Sequence, residues 1–119
     1  MTTTSWRVRA LKASRPSNPD PIKLRAGDVV EIAGKEDDGW VWCRHHTGKE
    51  GWAPVSYLTA DGEGNTRTAR FDYDASELPV EVGEEFQARL EEHGWLWCES
   101  SQGTWGWVRV AHVENINEA

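Results

Sequence analysis

The chain has 119 residues and a net charge of −7, with eight tryptophans but only two tyrosines and two phenylalanines. No apolar run is long enough for a secretory leader or a membrane span, so we expect a cytoplasmic protein that does not insert into a membrane. The charge is uneven: residues 1–59 carry nine Lys and Arg against seven Asp and Glu, whereas residues 60–119 carry four against thirteen. The acidic second half disfavours a phosphate backbone, and nucleic acid is not expected as a partner.

In chain order, the first predicted strand is residues 6–11, where apolar and charged side chains alternate. Three prolines between residues 16 and 21 exclude a helix and predict a long, stiff loop. A second strand is predicted at residues 29–33. A hairpin follows, with strands at residues 40–43 and 51–53, because tryptophan and β-branched residues favour strands and glycine-containing turns separate them.

The second half of the chain repeats this plan. Identical residues recur at an offset of 55, namely Trp40/Trp95, Trp42/Trp97, Cys43/Cys98, Gly48/Gly103, Gly51/Gly106 and Trp52/Trp107. Such an offset indicates a duplicated unit. We therefore predict domains at residues 1–59 and 67–117, joined by a polar, glycine-containing linker at residues 60–66. Each has about five short strands and no helical pattern, which is typical of a small barrel.

Several motifs resemble those of SH3 domains. Residues 69–73, Ala-Arg-Phe-Asp-Tyr, are similar to the Ala-Leu-Tyr-Asp-Tyr signature of that family, and residues 94–97 resemble its tryptophan strand. Residues 51–58, Gly-Trp-Ala-Pro-Val-Ser-Tyr-Leu, resemble its closing motif. The resemblance implies an all-β fold of two tandem SH3-like five-stranded small barrels.

SH3 domains bind proline-rich segments in a groove of aromatic side chains, often beside acidic loops that attract a basic ligand residue. The resemblance therefore implies a non-enzymatic interaction module for proline-rich or basic peptides. In the first repeat the implied binding residues are Trp40, Pro54 and Tyr57 with Asp37 and Asp38. In the second repeat they are Phe71, Tyr73 and Trp95 with Glu77 and Glu92.

Each repeat departs from the family at part of its groove. Lys12 and Ser14 stand where the family has its first tyrosines, and Arg109 and His112 stand where it has its closing proline and tyrosine. Each repeat therefore has half a groove. The halves could bind weakly and gain from linkage, or the two faces could pack on each other as a structural or assembly unit. The Pro-x-x-Pro at residues 16–19 could also enter another domain's groove, so we expect a monomer or weak self-association.

Other kinds of function find less support in the sequence. No nucleophile with a base and no paired carboxylates are evident, so catalysis is not expected. The histidines and cysteines lack the spacing of a metal site, and neither a metal nor another cofactor is predicted. Cys43 and Cys98 are expected to be buried thiols in different cores. Trp40 and Trp95 are expected to be exposed in the grooves, whereas Trp42, Trp52, Trp97 and Trp107 are expected in structural positions.

Overall fold

A computed structural model describes residues 5–16, 18, 20–60 and 63–116. These residues form β-strands and two 3₁₀ turns, Val55–Tyr57 and Val110–His112. The strands are β1 (Trp6–Ala10), β2 (Lys23–Leu24), β3 (Val29–Asp37), β4 (Trp40–His45), β5 (Glu50–Pro54), β6 (Thr66–Thr68), β7 (Tyr73–Asp74), β8 (Glu85–Glu92), β9 (Trp95–Ser100), β10 (Trp105–Arg109) and β11 (Val113–Asn115). The predicted all-β class is confirmed. Within the described ranges, no helix is long and apolar enough to cross a membrane.

The chain divides into two compact units that do not follow the linear repeats. One unit, which we call the discontinuous unit, comprises residues 1–17 and 76–119. The other, the continuous unit, comprises residues 18–75. The amino-terminal residues of the first repeat are therefore grouped with the second repeat, unlike the predicted division at residues 1–59 and 67–117. Of the predicted linker at residues 60–66, residues 61 and 62 lie outside the described residues, and Thr66 begins β6.

In the discontinuous unit, one sheet has the strand order β10-β9-β8-β1-β11. All of its pairings are antiparallel, and β1 lies between β8 and β11, with Val8 opposite both Phe86 and Asn115. Val8 is 0% exposed because its side chain points into the core. That core also contains Ala10, Leu78, Val80, Phe86, Ala88, Leu96, Cys98 and Val108. The first strand thus completes a core built mostly by the second repeat.

Charge gives a physical reason for this pairing. Residues 1–17 contain four basic residues and no acidic ones, whereas residues 76–119 contain nine acidic residues and two basic ones. Arg7 and Arg9 both contact Glu85, and Arg15 lies 3.1 Å from Glu81. Arg9 and Glu85 are Cα partners in the discontinuous unit. The equivalent pair in the continuous unit is Thr68 and Val29, neither of which is charged. The amino-terminal strand therefore has ion-pair partners on β8 that β3 does not offer at this position.

In the continuous unit, a four-stranded sheet has the order β5-β4-β3-β6, and β2 pairs with β7. Its fully or largely buried side chains include Ile22, Leu24, Val30, Val41, Cys43, Ala53, Leu58 and Ala69. The two ends of this unit meet: Lys23 pairs with Asp74, and the Ala75 N–H donates to the Ile22 carbonyl at 3.0 Å. Residues 66–75 therefore play the same part in the continuous unit as residues 5–16 play in the discontinuous unit: each segment supplies a strand and the loop that follows it.

Two tight turns set the positions of the tryptophan strands. Asp38 and Gly39 have φ values of 50° and 86°, and they connect β3 to β4. His93 and Gly94, with φ values of 40° and 90°, connect β8 to β9. A two-residue hairpin turn of type I′ requires positive φ at both of its central residues.

Candidate functional site

An aromatic cluster lies in the continuous unit and consists of Tyr57, Phe71 and Tyr73. The Tyr57 ring is the common member: its centroid lies 5.3 Å from that of Phe71 and 5.6 Å from that of Tyr73, both edge to face. This geometry is favoured between aromatic rings. The Tyr73 hydroxyl donates to the Trp52 carbonyl at 2.7 Å, which fixes its ring. The cluster combines one tyrosine of the first repeat with two aromatics of the second.

Backbone contacts bring these side chains together. Tyr57 ends the 3₁₀ turn Val55–Tyr57, and Leu58 forms an antiparallel bridge with Ala69. The Arg70 N–H donates to the Tyr57 carbonyl at 2.7 Å, immediately before Phe71. Because the bridge and this hydrogen bond fix the register, Tyr57 and Phe71 are neighbours.

Trp40 and Pro54 extend the site along the same unit. They are Cα partners in the β4–β5 hairpin, and Pro54 directly precedes the 3₁₀ turn that carries Tyr57. Pro54 is fully buried, and Trp40 is only 8% exposed. The expectation that Trp40 is exposed is therefore wrong. Phe71, at 48%, is the most exposed of these aromatic side chains.

Acidic residues lie beside Trp40 and, in sequence, between Phe71 and Tyr73. Asp37 is the Cα partner of Trp40, and Asp38 follows it in the hairpin turn, with both side chains exposed. Asp72, between Phe71 and Tyr73, accepts a hydrogen bond from the Ala26 N–H at 2.9 Å. The continuous unit has seven basic and eleven acidic residues, a net charge of −4. Its field therefore favours a basic ligand.

The discontinuous unit contains the other three residues predicted for the second groove. Trp95 is half-buried, and the Arg109 guanidinium carbon lies 4.5 Å from its ring centroid. Glu92 is its Cα partner on the neighbouring strand β8, and Glu77 forms a parallel bridge with Trp107. The two predicted half-grooves are thus regrouped. The continuous unit holds Trp40, Pro54, Tyr57, Asp37, Asp38, Phe71 and Tyr73; the discontinuous unit holds Trp95, Glu77 and Glu92.

The remaining tryptophans of the hairpins differ in how far they are buried. Trp42 and Trp52 contact edge to face at 5.5 Å, and Trp42 Nε1 donates to Glu50 at 2.7 Å. That hydrogen bond holds the pKa of Glu50 below its usual range. Trp107 is 5% exposed, as expected of a structural residue, but Trp52 is 42% exposed, against the expectation.

Metal and thiol chemistry have little basis in the described structure. Within the described ranges, no group of three or more His, Cys, Asp or Glu side chains could hold a metal ion. Cys43 and Cys98 are free and buried, which confirms the expectation of buried thiols. Burial raises the pKa of Cys43 to about 11 and that of Cys98 to about 12, so neither thiol is a ready nucleophile.

Comparison with known protein families gives a match to just under half of the chain. A variant SH3 domain is matched at residues 7–60. SH3 domains are typically non-catalytic protein–protein interaction modules. The family match follows the linear first repeat, whereas the contacts place residues 7–17 in the discontinuous unit and the rest of the match in the continuous unit.

The following relatives, to which this chain is similar, are much longer proteins. The chain is 42% identical over 50 residues to human proline-serine-threonine phosphatase-interacting protein 1, covering 42% of this chain and 12% of the relative. It is 34% identical over 59 residues to the Drosophila melanogaster protein nervous wreck, covering 49% and 6%. It is 51% identical over 39 residues to mouse SH3 and PX domain-containing protein 2B, covering 33% and 4%. This chain therefore spans only a small part of each of these relatives.

Proposed function

We propose that the chain carries two SH3-type barrels and that the continuous unit binds proline-rich or basic peptide segments. The observation that carries this proposal is the cluster of Tyr57, Phe71 and Tyr73, which unites aromatic positions that the sequence splits between two repeats. Shallow grooves between edge-to-face rings accept the proline side chains of an extended PPII helix. We further propose that the protein acts in the cytoplasm as a monomer or with weak self-association, and that it needs no cofactor.

The acidic side chains define which peptides should bind best. Asp37, Asp38 and Asp72 lie close in sequence to Trp40 or Phe71, and the unit is acidic overall. A ligand with an Arg or Lys beside its prolines gains an electrostatic contribution that a neutral polyproline lacks. Because the carboxylates of Asp37 and Asp38 are exposed, salt should screen that contribution.

The test is a calorimetric titration of the 119-residue protein with proline-rich peptides that do or do not contain Arg. Tyr57→Ala removes the common ring of the cluster and should weaken binding at least about tenfold, because buried aromatic anchors dominate such interfaces. Trp105→Ala is the control, since it truncates a 39% exposed ring in the discontinuous unit. Equal affinities for Tyr57→Ala and the unmodified chain would overturn the proposed groove.

A further inference from the structure

The discontinuous unit has basic and polar residues at the positions where the continuous unit has its aromatic site. The equivalence rests on backbone contacts. Ser14 forms a bridge with Val80, just as Tyr73 pairs with Leu24 in the continuous unit. The Leu11 N–H donates to the His112 carbonyl at 2.7 Å. The second contact repeats the bond between Arg70 and Tyr57, also 2.7 Å. Lys12 and His112 therefore stand where Phe71 and Tyr57 form their ring contact.

Arg109 completes the set of replaced positions. It is the Cα partner of Trp95, as Pro54 is of Trp40, and each immediately precedes a 3₁₀ turn. We define the basic cluster as Lys12, Ser14, Arg109 and His112. Lys12 and Arg109 are exposed, while Ser14 and His112 are half-buried. Three nitrogen-bearing side chains and one hydroxyl thus replace three aromatic rings and one proline.

We propose that the basic cluster binds a single anionic side chain, a carboxylate or a phosphate, of an extended peptide. The guanidinium of Arg109 is held over the Trp95 ring at 4.5 Å, an arrangement that orients its N–H donors before a ligand arrives. Lys12 supplies a second, flexible cation, and the Ser14 hydroxyl a neutral donor. Such charge-assisted hydrogen bonds are stronger than neutral ones.

His112 supplies an independent indication of a ligand. Its Nδ1 is shielded from solvent and has no hydrogen-bond partner in the described part of the chain. A shielded nitrogen without a partner lowers stability, and a bound carboxylate or phosphate relieves that cost by accepting a hydrogen bond from the ring N–H of a reoriented His112.

The surroundings favour an isolated anionic group over a polyanion. Residues 76–119 carry nine acidic and two basic residues, and Glu92 lies on the other side of Trp95 from Arg109. A nucleic acid would bring many phosphates against this acidic surface, with an unfavourable Coulomb energy. A peptide brings one anionic group to the cluster and keeps its remaining surface neutral or basic.

The test is heteronuclear NMR of the 119-residue protein, with the backbone amides of residues 12, 14, 109 and 112 followed during titration. The probes are a hexapeptide with one glutamate among five glutamines, which we call the glutamate peptide, hexaglutamine as the uncharged control, inorganic phosphate and a single-stranded oligonucleotide. We expect shifts at the basic cluster with the glutamate peptide and phosphate, and none with hexaglutamine. We expect residues 57 and 71 of the aromatic cluster to be unaffected, which separates this site from the proposed proline-peptide groove.

Charge-reversal variants test the assignment. Lys12→Glu and Arg109→Glu should each weaken binding of the glutamate peptide about tenfold, as expected for a lost charge-assisted contact. Lys35→Glu makes the same change in net charge at an exposed position of β3 and should leave the affinity within about twofold of that of the unmodified protein. An equal loss with Lys35→Glu, or no binding of either anion, overturns the proposal. Tighter binding of the oligonucleotide than of the glutamate peptide overturns the peptide assignment and indicates a nucleic-acid site.

Discussion

The pairing of β1 with the second repeat makes a quantitative prediction for the variant Val8→Ala. Val8 is 0% exposed and lies in the core between β8 and β11. Two carbon atoms are removed, at about 0.8 kcal/mol of transfer free energy each, and the cavity adds to that cost. We expect the free energy of unfolding of the discontinuous unit to fall by about 2 kcal/mol, which corresponds to a factor of about 30 in the unfolding equilibrium.

Native-state hydrogen exchange locates that loss. In Val8→Ala, the slowest amides of β8, β9 and β10 should exchange about 30-fold faster, while those of β3, β4 and β5 should keep their rates. Val30→Ala is the matched control, because Val30 is 1% exposed and lies on β3 of the continuous unit. It should show the reverse pattern. If Val8→Ala instead accelerates exchange in β3, β4 and β5, the amino-terminal strand belongs to the first repeat, and the regrouping described above is refuted.

Three further predictions concern single residues. A Cβ on Gly106 would lie 2.9 Å from the backbone nitrogen of Leu78, so Gly106→Ala should destabilise the protein by about 1–3 kcal/mol in urea unfolding; an unchanged midpoint would contradict this packing. The hydrogen bond from Arg7 holds the pKa of Glu85 below its usual range, so its contribution to stability is present above the unfolded-state pKa and is lost as pH falls through the folded-state pKa. Glu85→Gln should therefore flatten the acid limb of the stability profile in thermal melts from pH 7 to 3, and an unaltered limb would exclude this contribution. Cys43 and Cys98, with pKa values raised to about 11 and 12, should react with a thiol reagent at pH 7 only as fast as the native state opens, and denaturant should accelerate labelling; labelling at the rate of a free thiol would show that they are accessible.

The local elements were predictable from the sequence because their signals are local. The alternation of residues 6–11, the tryptophan strands and the glycine turns all correspond to observed strands or hairpins. Pro54 and Tyr57 could also be picked out from the sequence, because they belong to a local motif that forms its own 3₁₀ turn. Their role in a peptide groove stays a prediction. Exposure was harder: Trp40 begins its predicted strand but is 8% exposed, and burial depends on tertiary packing.

The partner of the first strand could not be predicted from repeat spacing. Both repeats have the same strand order, so β1 fits either β3 or β8 by pattern alone. The choice depends on contacts between residues about 80 positions apart, such as Arg7 with Glu85. A signal was nevertheless present in the charges: residues 1–17 are purely basic among their charged residues, and residues 76–119 are strongly acidic. A second signal was that each repeat lacks a different part of the aromatic groove, since Lys12 in the first repeat and His112 in the second stand at positions where the SH3 family has tyrosines.

The regrouping of segments also affects the order in which the protein can fold during synthesis. The ribosome adds residues from the amino terminus at about 5–20 per second. The continuous unit has all its strands once residue 75 has emerged, because its ends pair through Lys23 and Asp74. β1 is made first, but its two neighbouring strands are complete only at residues 92 and 115. For several seconds the nascent chain therefore carries an unpaired strand segment with one apolar face, whose two edges can bind a chaperone or the same segment of a neighbouring nascent chain.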